Sequence, residues 1–189
     1  MVMGGRGRNG RARGCGLAER IAGGDPLAVR ELVERHYAEL YRYAFAMLRH
    51  RAASEDAVHD ALVRALEALG RYPEERIRGM ALRPWLYRIT LNTVRNRLRA
   101  RGRETSLDGV RPGSESRGDP EGAMDALAAL RRLPERQRVA VALRYMQDLP
   151  YAEISAATGW PEGTVKTLVR RGLSRLRAEL DGEGRGGAS

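Results

Sequence analysis

Cysteine, lysine and phenylalanine are almost absent from this chain of 189 residues, each occurring once. Because Cys15 is alone, an internal disulfide and a zinc cluster built on several cysteines are excluded. No apolar run approaches the roughly 20 residues that a membrane-spanning helix needs, and the first residues lack the apolar core of a secretory signal. We therefore expect a cytoplasmic protein with no membrane insertion, no bound metal and no cofactor.

The charge is strongly unbalanced, with a formal net charge of +10 and a pI near 10.7. Such a balance favours a polyanionic partner, above all nucleic acid. However, all but one of the 34 basic residues are arginine, and glycine is abundant. This bias is typical of a GC-rich coding sequence, so the position of the arginines is more informative than their number.

The distribution of apolar residues predicts an all-α fold, in which two small helical domains are joined by a flexible linker. Helical periodicity recurs along the chain, and no segment alternates as a strand would. Gly/Arg-rich and Gly-rich termini are predicted to be disordered, and a Gly/Ser/Pro-rich stretch is predicted to be the linker. The resulting divisions are a tail (1–23), a first domain (24–103), the linker (104–123), a second domain (124–181) and a second tail (182–189).

The second domain ends in a predicted helix-turn-helix. A short helix over 151–158 stops at Gly159, and a longer helix starts at Pro161, where proline is tolerated in the first turn. Val165, Leu168/Val169, Gly172, Leu176 and Leu180 form its buried stripe. Its opposite face is basic and hydroxyl-bearing, as expected of a helix that reads the major groove. An ordinary amphipathic surface helix is the alternative interpretation.

The third predicted helix, which begins near Pro84, has an arginine-rich face. The stretch from Arg83 to Arg103 contains seven arginines and no acidic residue. Arginine offers phosphates a planar donor fork, asparagine can bond base edges, and an aromatic ring can stack on an unpaired base. Trp85 could instead anchor the core. The side chains on this face and its edge are Trp85, Arg88, Asn92, Arg95, Asn96 and Arg99.

The second predicted helix is acidic at its beginning. Glu55 and Asp56 favour the positive end of the helix dipole, which could be their whole role. Asp60 lies one turn further on, beside His59 and Arg64, where it could meet a basic partner protein.

Together these segments resemble a bacterial RNA polymerase sigma factor of the small extracytoplasmic-function (ECF) group. SEDAVHDALVRAL is similar to the polymerase-binding helix of that family, and RPWLYRITLNTVRNRLR to its promoter-melting helix. LPERQRVAVALRYMQDLPYAEISAATGWPEGTVKTLVRRGLSRLR is similar to its C-terminal domain. The chain departs from the usual family residues at His59, Leu62, Leu66, Ser155, Thr158, Trp160 and Leu168.

The resemblance implies an initiation factor with no active site of its own. It would bind core RNA polymerase at the clamp helices and the flap, direct it to specific promoters and help to melt the minus-10 region. Many members of the group are held inactive by an anti-sigma factor, a further partner that the resemblance allows. The implied polymerase-binding residues are Asp56, Val58, Asp60, Leu62 and Arg64. The implied minus-35 residues are Thr164, Lys166, Thr167, Arg170 and Arg171. The implied minus-10 residues are Trp85, Arg88, Asn92, Arg95, Asn96 and Arg99.

Two other classes of protein compete with this interpretation. A transcription regulator with a C-terminal helix-turn-helix would explain residues 124–180, but it gives no reason for the WLYRI helix. A metal-dependent phosphohydrolase would use His36, His59 and Asp60, yet no further ligands are evident in the sequence.

Overall fold

In the computed structural model, the chain is described over residues 9–108 and 128–183, and side-chain environments over 16–100 and 128–178. Within these ranges every regular element is helical, as the sequence predicts. The helices are α1 (Asn9–Ala22), α2 (Pro26–Leu48), α3 (Arg51–Arg71), α4 (Glu74–Arg78), α5 (Leu82–Asp108), α6 (128–132), α7 (Glu135–Val141), a π-helical turn (Ala142–Met146), α8 (Tyr151–Thr158) and α9 (Glu162–Glu183).

The N-terminal module is built on α2, α3 and α5, whose apolar stripes pack together. Leu40, Val58 and Leu86 are among the side chains that are almost completely buried in its core. Asp25 accepts a hydrogen bond from the Leu27 backbone N–H at 2.9 Å and thereby caps α2. The His50 ring accepts one from the Ala53 N–H at 3.1 Å and thereby caps the start of α3.

The prediction of a disordered tail through residue 23 is wrong for the last turns of α1. Leu17, Ala18, Ile21 and Ala22 are buried, because their spacing gives this short segment one apolar face that packs on α4 and α2. The Arg20 guanidinium also bonds the carboxylates of Asp25 at 2.8 Å and Glu31 at 2.6 Å. The first module therefore starts before residue 24.

The boundaries around the predicted linker also move. The linker was predicted to start at residue 104, whereas α5 continues to Asp108 and takes in the first residues assigned to the linker. Residues 109–123 of the predicted linker and 124–127 of the predicted second domain lie outside the described residues. So do residues 1–8 and 184–189 of the predicted tails, whereas α9 extends to Glu183.

The C-terminal module consists of α6, α7, the π-helical turn and the α8–α9 pair. Val165 and Val169 of α9 are buried, as the predicted stripe requires, and α9 packs closely on α7 at Gly172. A Cβ at Gly172 would lie 2.6 Å from Cγ2 of Val141, a buried β-branched side chain that has little freedom to move. Glycine is needed here for close approach of two helices.

We expect Gly172→Leu to destabilise the protein by about 1–3 kcal/mol, because the added side chain overpacks the α7–α9 contact. Gly163→Leu is the matched control, since a Cβ at Gly163 meets nothing within 4 Å. Urea unfolding of both variants measures the difference. Equal midpoints would show that the α7–α9 contact tolerates a wider separation.

The two modules pack on each other. Helix α5 lies against α8, and α2 touches the π-helical turn. The buried hydroxyl of Tyr87 donates to Oε1 of Gln147 at 3.1 Å, and burial raises the pKa of Tyr87. The sequence did not predict this contact. The apolar pattern of each module indicates the buried faces of its own helices, but not the surface on which it meets the other module.

Candidate DNA and polymerase interfaces

The turn between α8 and α9 is held by side-chain hydroxyl groups. Gly159 has φ of 75°, the left-handed conformation that suits glycine, and its N–H donates to the Ser155 carbonyl at 2.8 Å. The Ser155 hydroxyl donates to the Trp160 carbonyl at 2.6 Å, and the Trp160 N–H donates to the Thr158 hydroxyl at 3.2 Å. Two residues at which the chain departs from the family that it resembles thus supply polar contacts that fix the turn.

The predicted minus-35 residues lie on the accessible side of α9. Lys166, Arg170 and Arg171 are exposed, and Thr164 and Thr167 are half-buried. The Lys166 ammonium group bonds Glu162 at 2.8 Å and lies 5.7 Å from the centre of the Tyr151 ring. The hydrogen bond from Lys166 to Glu162 raises the pKa of Lys166, so this group stays charged.

A surface cleft beside this face contains further basic groups. It is lined by Gln137, Arg170, Arg171, Ser174 and Arg175. The sequence interpretation missed Arg175, which helical spacing places one turn after Arg171, and Gln137, which could not be assigned without knowing how α7 and α9 pack. The cleft widens the basic surface of α9 beyond the residues first predicted.

Trp85, the predicted aromatic of the minus-10 face, is half-buried and packs against the core. Its ring lies 6.2 Å from the Tyr72 ring, and the Arg76 guanidinium stacks 3.7 Å from the centre of Tyr72. Core packing is therefore one role of Trp85, and its accessible part adjoins an aromatic and basic corner formed by the end of α3 and by α4.

The other predicted minus-10 residues fall into two groups, and of the two that contact the C-terminal module Arg88 is still exposed whereas Arg95 is half-buried. Asn92, Asn96 and Arg99 are exposed on α5. Arg88 and Arg95, in contrast, reach the C-terminal module. Arg88 donates to the Ala156 carbonyl at 2.5 Å, and Arg95 donates to the Glu135 carboxylate at 2.9 Å. The Arg95 guanidinium also lies 5.6 Å from the centre of the Trp160 ring.

A charged network at the start of α5 joins the two modules. Arg83 donates to Glu39 at 2.9 Å and to the Gln147 carbonyl at 2.7 Å, and it lies 3.6 Å from Glu153. Burial of the Glu39 carboxyl opposes its ionisation, but hydrogen bonds from His36 and Arg83 outweigh burial and lower the pKa of Glu39.

We expect acid to weaken this network. Because the pKa of Glu39 is below its ordinary value of 4.5, its contribution is complete above that value and is lost as the pH falls through the lowered pKa. Glu39→Gln should cost about 1.5–3 kcal/mol of unfolding free energy at neutral pH and remove part of the acid dependence. Urea unfolding at a series of pH values measures this. Glu34→Gln, at an exposed pair with Arg30, should change little; equal losses would contradict the network.

The predicted polymerase-binding residues on α3 do not share one surface. Asp56 and Arg64 are exposed, and Asp60 is half-buried. Arg97 of α5 lies 3.7 Å from Asp56 and 2.5 Å from Asp60, so the helix already pairs its acidic residues within the module.

Val58 and Leu62 were predicted to contact the polymerase, but both side chains are buried. Their side chains are 0% and 7% exposed, because they belong to the stripe of α3 that packs on α2 and α5. Two apolar neighbours that the prediction omitted, Val63 and Leu66, are 41% and 38% exposed. Exposed apolar side chains on this helix are better candidates for protein contact.

The metal ligands that a phosphohydrolase would need are not brought together in the part of the chain that the structure describes. Among the described residues, no group of three or more His, Cys, Asp or Glu side chains is placed to hold a metal ion. No helix within the same residues is long and apolar enough to cross a membrane.

Comparison with known families decides the identity of the fold. The profile of "Sigma-70 region 2" matches residues 32–104, and that of "Sigma-70, region 4" matches residues 123–176. The chain belongs to the sigma-70 family. It is 34% identical over 172 residues to the ECF RNA polymerase sigma factor SigM of Mycobacterium tuberculosis, covering 90% of this chain and 85% of SigM. It is 27% identical over 179 residues to the ECF RNA polymerase sigma factor SigW of Bacillus subtilis, covering 86% of this chain and 94% of SigW.

A solved structure agrees with this membership of the ECF group. The sigma factor RpoE of Bartonella quintana, in complex with the anti-sigma factor NepR, superimposes with a TM-score of 0.70 at 27% identity. The likeness covers 80% of this chain and 96% of RpoE. This sigma factor thus directs core RNA polymerase to promoters, and its region 2 and region 4 are the two helical modules described above.

Proposed function

We propose that this sigma factor divides promoter recognition between α9, which reads the minus-35 element, and α5, which grips the melted minus-10 strand. The observation that carries the proposal is the match of region 2 and region 4 on one chain, each containing a helix with basic side chains on its accessible face. A regulator with only a helix-turn-helix would have no use for region 2.

At the minus-35 element, Lys166, Thr167 and Arg170 face the major groove, with Thr164 and Arg171 at the edge of the contact. Each good bidentate pair between a side chain and a base supplies roughly 1–3 kcal/mol of discrimination. The remaining arginines of the cleft, including Arg175, bind phosphates, which fix the position of the helix and make binding sensitive to salt.

At the minus-10 element, the open face of α5 offers asparagines to base edges and arginines to phosphates. Asn92, Asn96 and Arg99 are exposed for this purpose. Extruding a base costs a few kcal/mol, which stacking in the corner formed by Tyr72 and Trp85 would offset.

On the polymerase, α3 binds the clamp helices of one large subunit, and the C-terminal module binds the flap of the other. The α3 contact consists of exposed groups: Asp56, Asp60 and Arg64 with Val63 and Leu66. Val58 and Leu62 support it from inside the core. The polymerase then fixes the spacing of two DNA contacts that are weak alone, which raises the effective concentration of each.

The protein works as a cytoplasmic factor that catalyses no reaction of its own and needs no cofactor. An anti-sigma factor is a further partner, supported by the presence of one, NepR, in the RpoE complex.

Run-off transcription with purified bacterial core polymerase over a promoter library tests the function. We expect transcripts only when both proteins are present, and footprints at minus 35 and minus 10 only in the presence of core. A footprint made by the chain alone would favour the regulator, and failure to associate with core would overturn the proposal.

A further inference from the structure

The beginning of α9 carries a pair of opposite charges on its exposed side. The Nζ atom of Lys166 lies 2.8 Å from Oε1 of Glu162, and both side chains are about half exposed. The sequence interpretation placed Lys166 in the minus-35 site but did not include Glu162. Glu162 is the only acidic residue of α9 before Glu179, and every other charged side chain in that stretch is basic.

A carboxylate at this place needs an explanation. It repels phosphate groups and so opposes the binding of any DNA sequence. An exposed ion pair between residues four apart stabilises a helix only slightly, so support of the helix does not account for an acid here. The first residues of a recognition helix are, however, those that contact base edges in the major groove. Glu162 occupies the first turn of α9.

The chemistry of the base edges indicates which base a carboxylate would select. In the major groove guanine offers only acceptors, thymine an acceptor and a methyl group, and adenine a donor beside an acceptor, whereas cytosine offers the N4 donor alone. An ionised carboxylate only accepts hydrogen bonds. Glu162 would therefore bond cytosine N4 and be repelled by the acceptor atoms of the other bases. The Lys166 ammonium group only donates, so it suits guanine O6 and N7.

The spacing of the two charged groups matches that of a G·C pair. Guanine O6 accepts a hydrogen bond from cytosine N4, so these atoms lie about 2.9 Å apart. Nζ of Lys166 and Oε1 of Glu162 are 2.8 Å apart, with the donor and the acceptor in complementary positions. Lys166 can donate to O6 while Glu162 accepts the second N4 hydrogen, without loss of their own bond. The Tyr151 ring, whose centre is 5.7 Å from Nζ, restrains the flexible lysine chain.

We infer that Glu162 and Lys166 together read one G·C base pair of the minus-35 element, and that Glu162 is the residue that selects cytosine. This inference rests on the proposed role of α9 at the minus-35 element. It adds the identity of one base pair and a specificity-determining residue outside the predicted set.

The test uses core polymerase with the full chain and a promoter library in which the minus-35 element is randomised and each promoter carries a transcribed barcode. Sequencing of the transcripts gives a base preference at every position. At one position we expect the unaltered protein to favour G·C over each other pair by about fivefold or more.

Glu162→Gln is the decisive variant, because glutamine keeps the shape of the side chain while its amide bonds adenine N6 and N7. At that position the preference for cytosine over adenine should fall by about fivefold or more. Lys166→Ala should weaken the preference for G·C at the same position. Glu34→Gln, the same chemical change in the exposed Arg30–Glu34 pair of α2, is the matched control and should keep the full profile. Co-purification with core shows that each variant is folded.

An unchanged profile for Glu162→Gln would overturn the inference. So would an equal change in transcription from all sequences, because a residue that only supports α9 or repels phosphates favours no base. Effects of Glu162→Gln and Lys166→Ala at different base pairs would also overturn it. If the unaltered protein showed no preference anywhere in the minus-35 element, the proposed role of α9 itself would be wrong.

Discussion

Replacing Lys166 and Arg170 by alanine together is expected to abolish promoter-directed transcription while assembly with core polymerase survives. Both side chains are exposed on α9, and neither is part of the buried stripe formed by Val165 and Val169. Two base contacts worth roughly 1–3 kcal/mol each correspond to a loss of about 30-fold or more. Run-off transcription measures the loss, and co-purification with core measures assembly.

A control must separate lost recognition from lost charge. Arg30→Ala plus Arg71→Ala removes two positive charges from exposed positions of the N-terminal module. It should transcribe nearly as well as the unaltered protein. Loss of core binding in the Lys166/Arg170 variant would contradict the division of labour between α9 and α3.

Replacing both Val63 and Leu66 by aspartate is expected to weaken binding to core polymerase while the protein stays folded. Both are exposed in the free protein, so their replacement leaves the core intact. Burial of one such side chain in an interface contributes about 1.5–3 kcal/mol, and a charge in its place adds a desolvation cost. We expect affinity for core to fall by about 100-fold or more, as measured by competition with a labelled sigma factor.

Leu27→Asp provides the comparison, because Leu27 is the most exposed large apolar side chain among the described residues and lies on α2. It should bind core normally. If the two α3 substitutions left core binding unchanged, the polymerase surface would have to be sought elsewhere in region 2.

The local elements could be predicted because each depends on a short pattern. Residues 151–158 and Gly159 specify a helix and its stop without reference to anything distant, and the structure ends α8 at Thr158 with Gly159 in the left-handed conformation. Helix α1 escaped prediction because four apolar residues in a Gly/Arg-rich segment become a buried face only when α4 and α2 are there to cover them.

The candidate sites show where family resemblance and periodicity disagree. Resemblance placed Val58 and Leu62 on the polymerase, whereas their separation by four residues is typical of the buried face of a helix. The structure agrees with the spacing. Contacts between the modules, such as Arg95 with Glu135, could not be predicted, because they join residues 40 positions apart with no pattern linking them.

The positions of the two tryptophans allow separation of the modules to be measured by intrinsic fluorescence. Trp85 packs beside Tyr72 within one module, whereas Trp160 lies between arginines that come from both. Indole emission moves to longer wavelength as water reaches the ring. Separation of the modules will therefore shift the emission of Trp160 to longer wavelength and leave that of Trp85 nearly unchanged, so the isolated protein can be followed without a label.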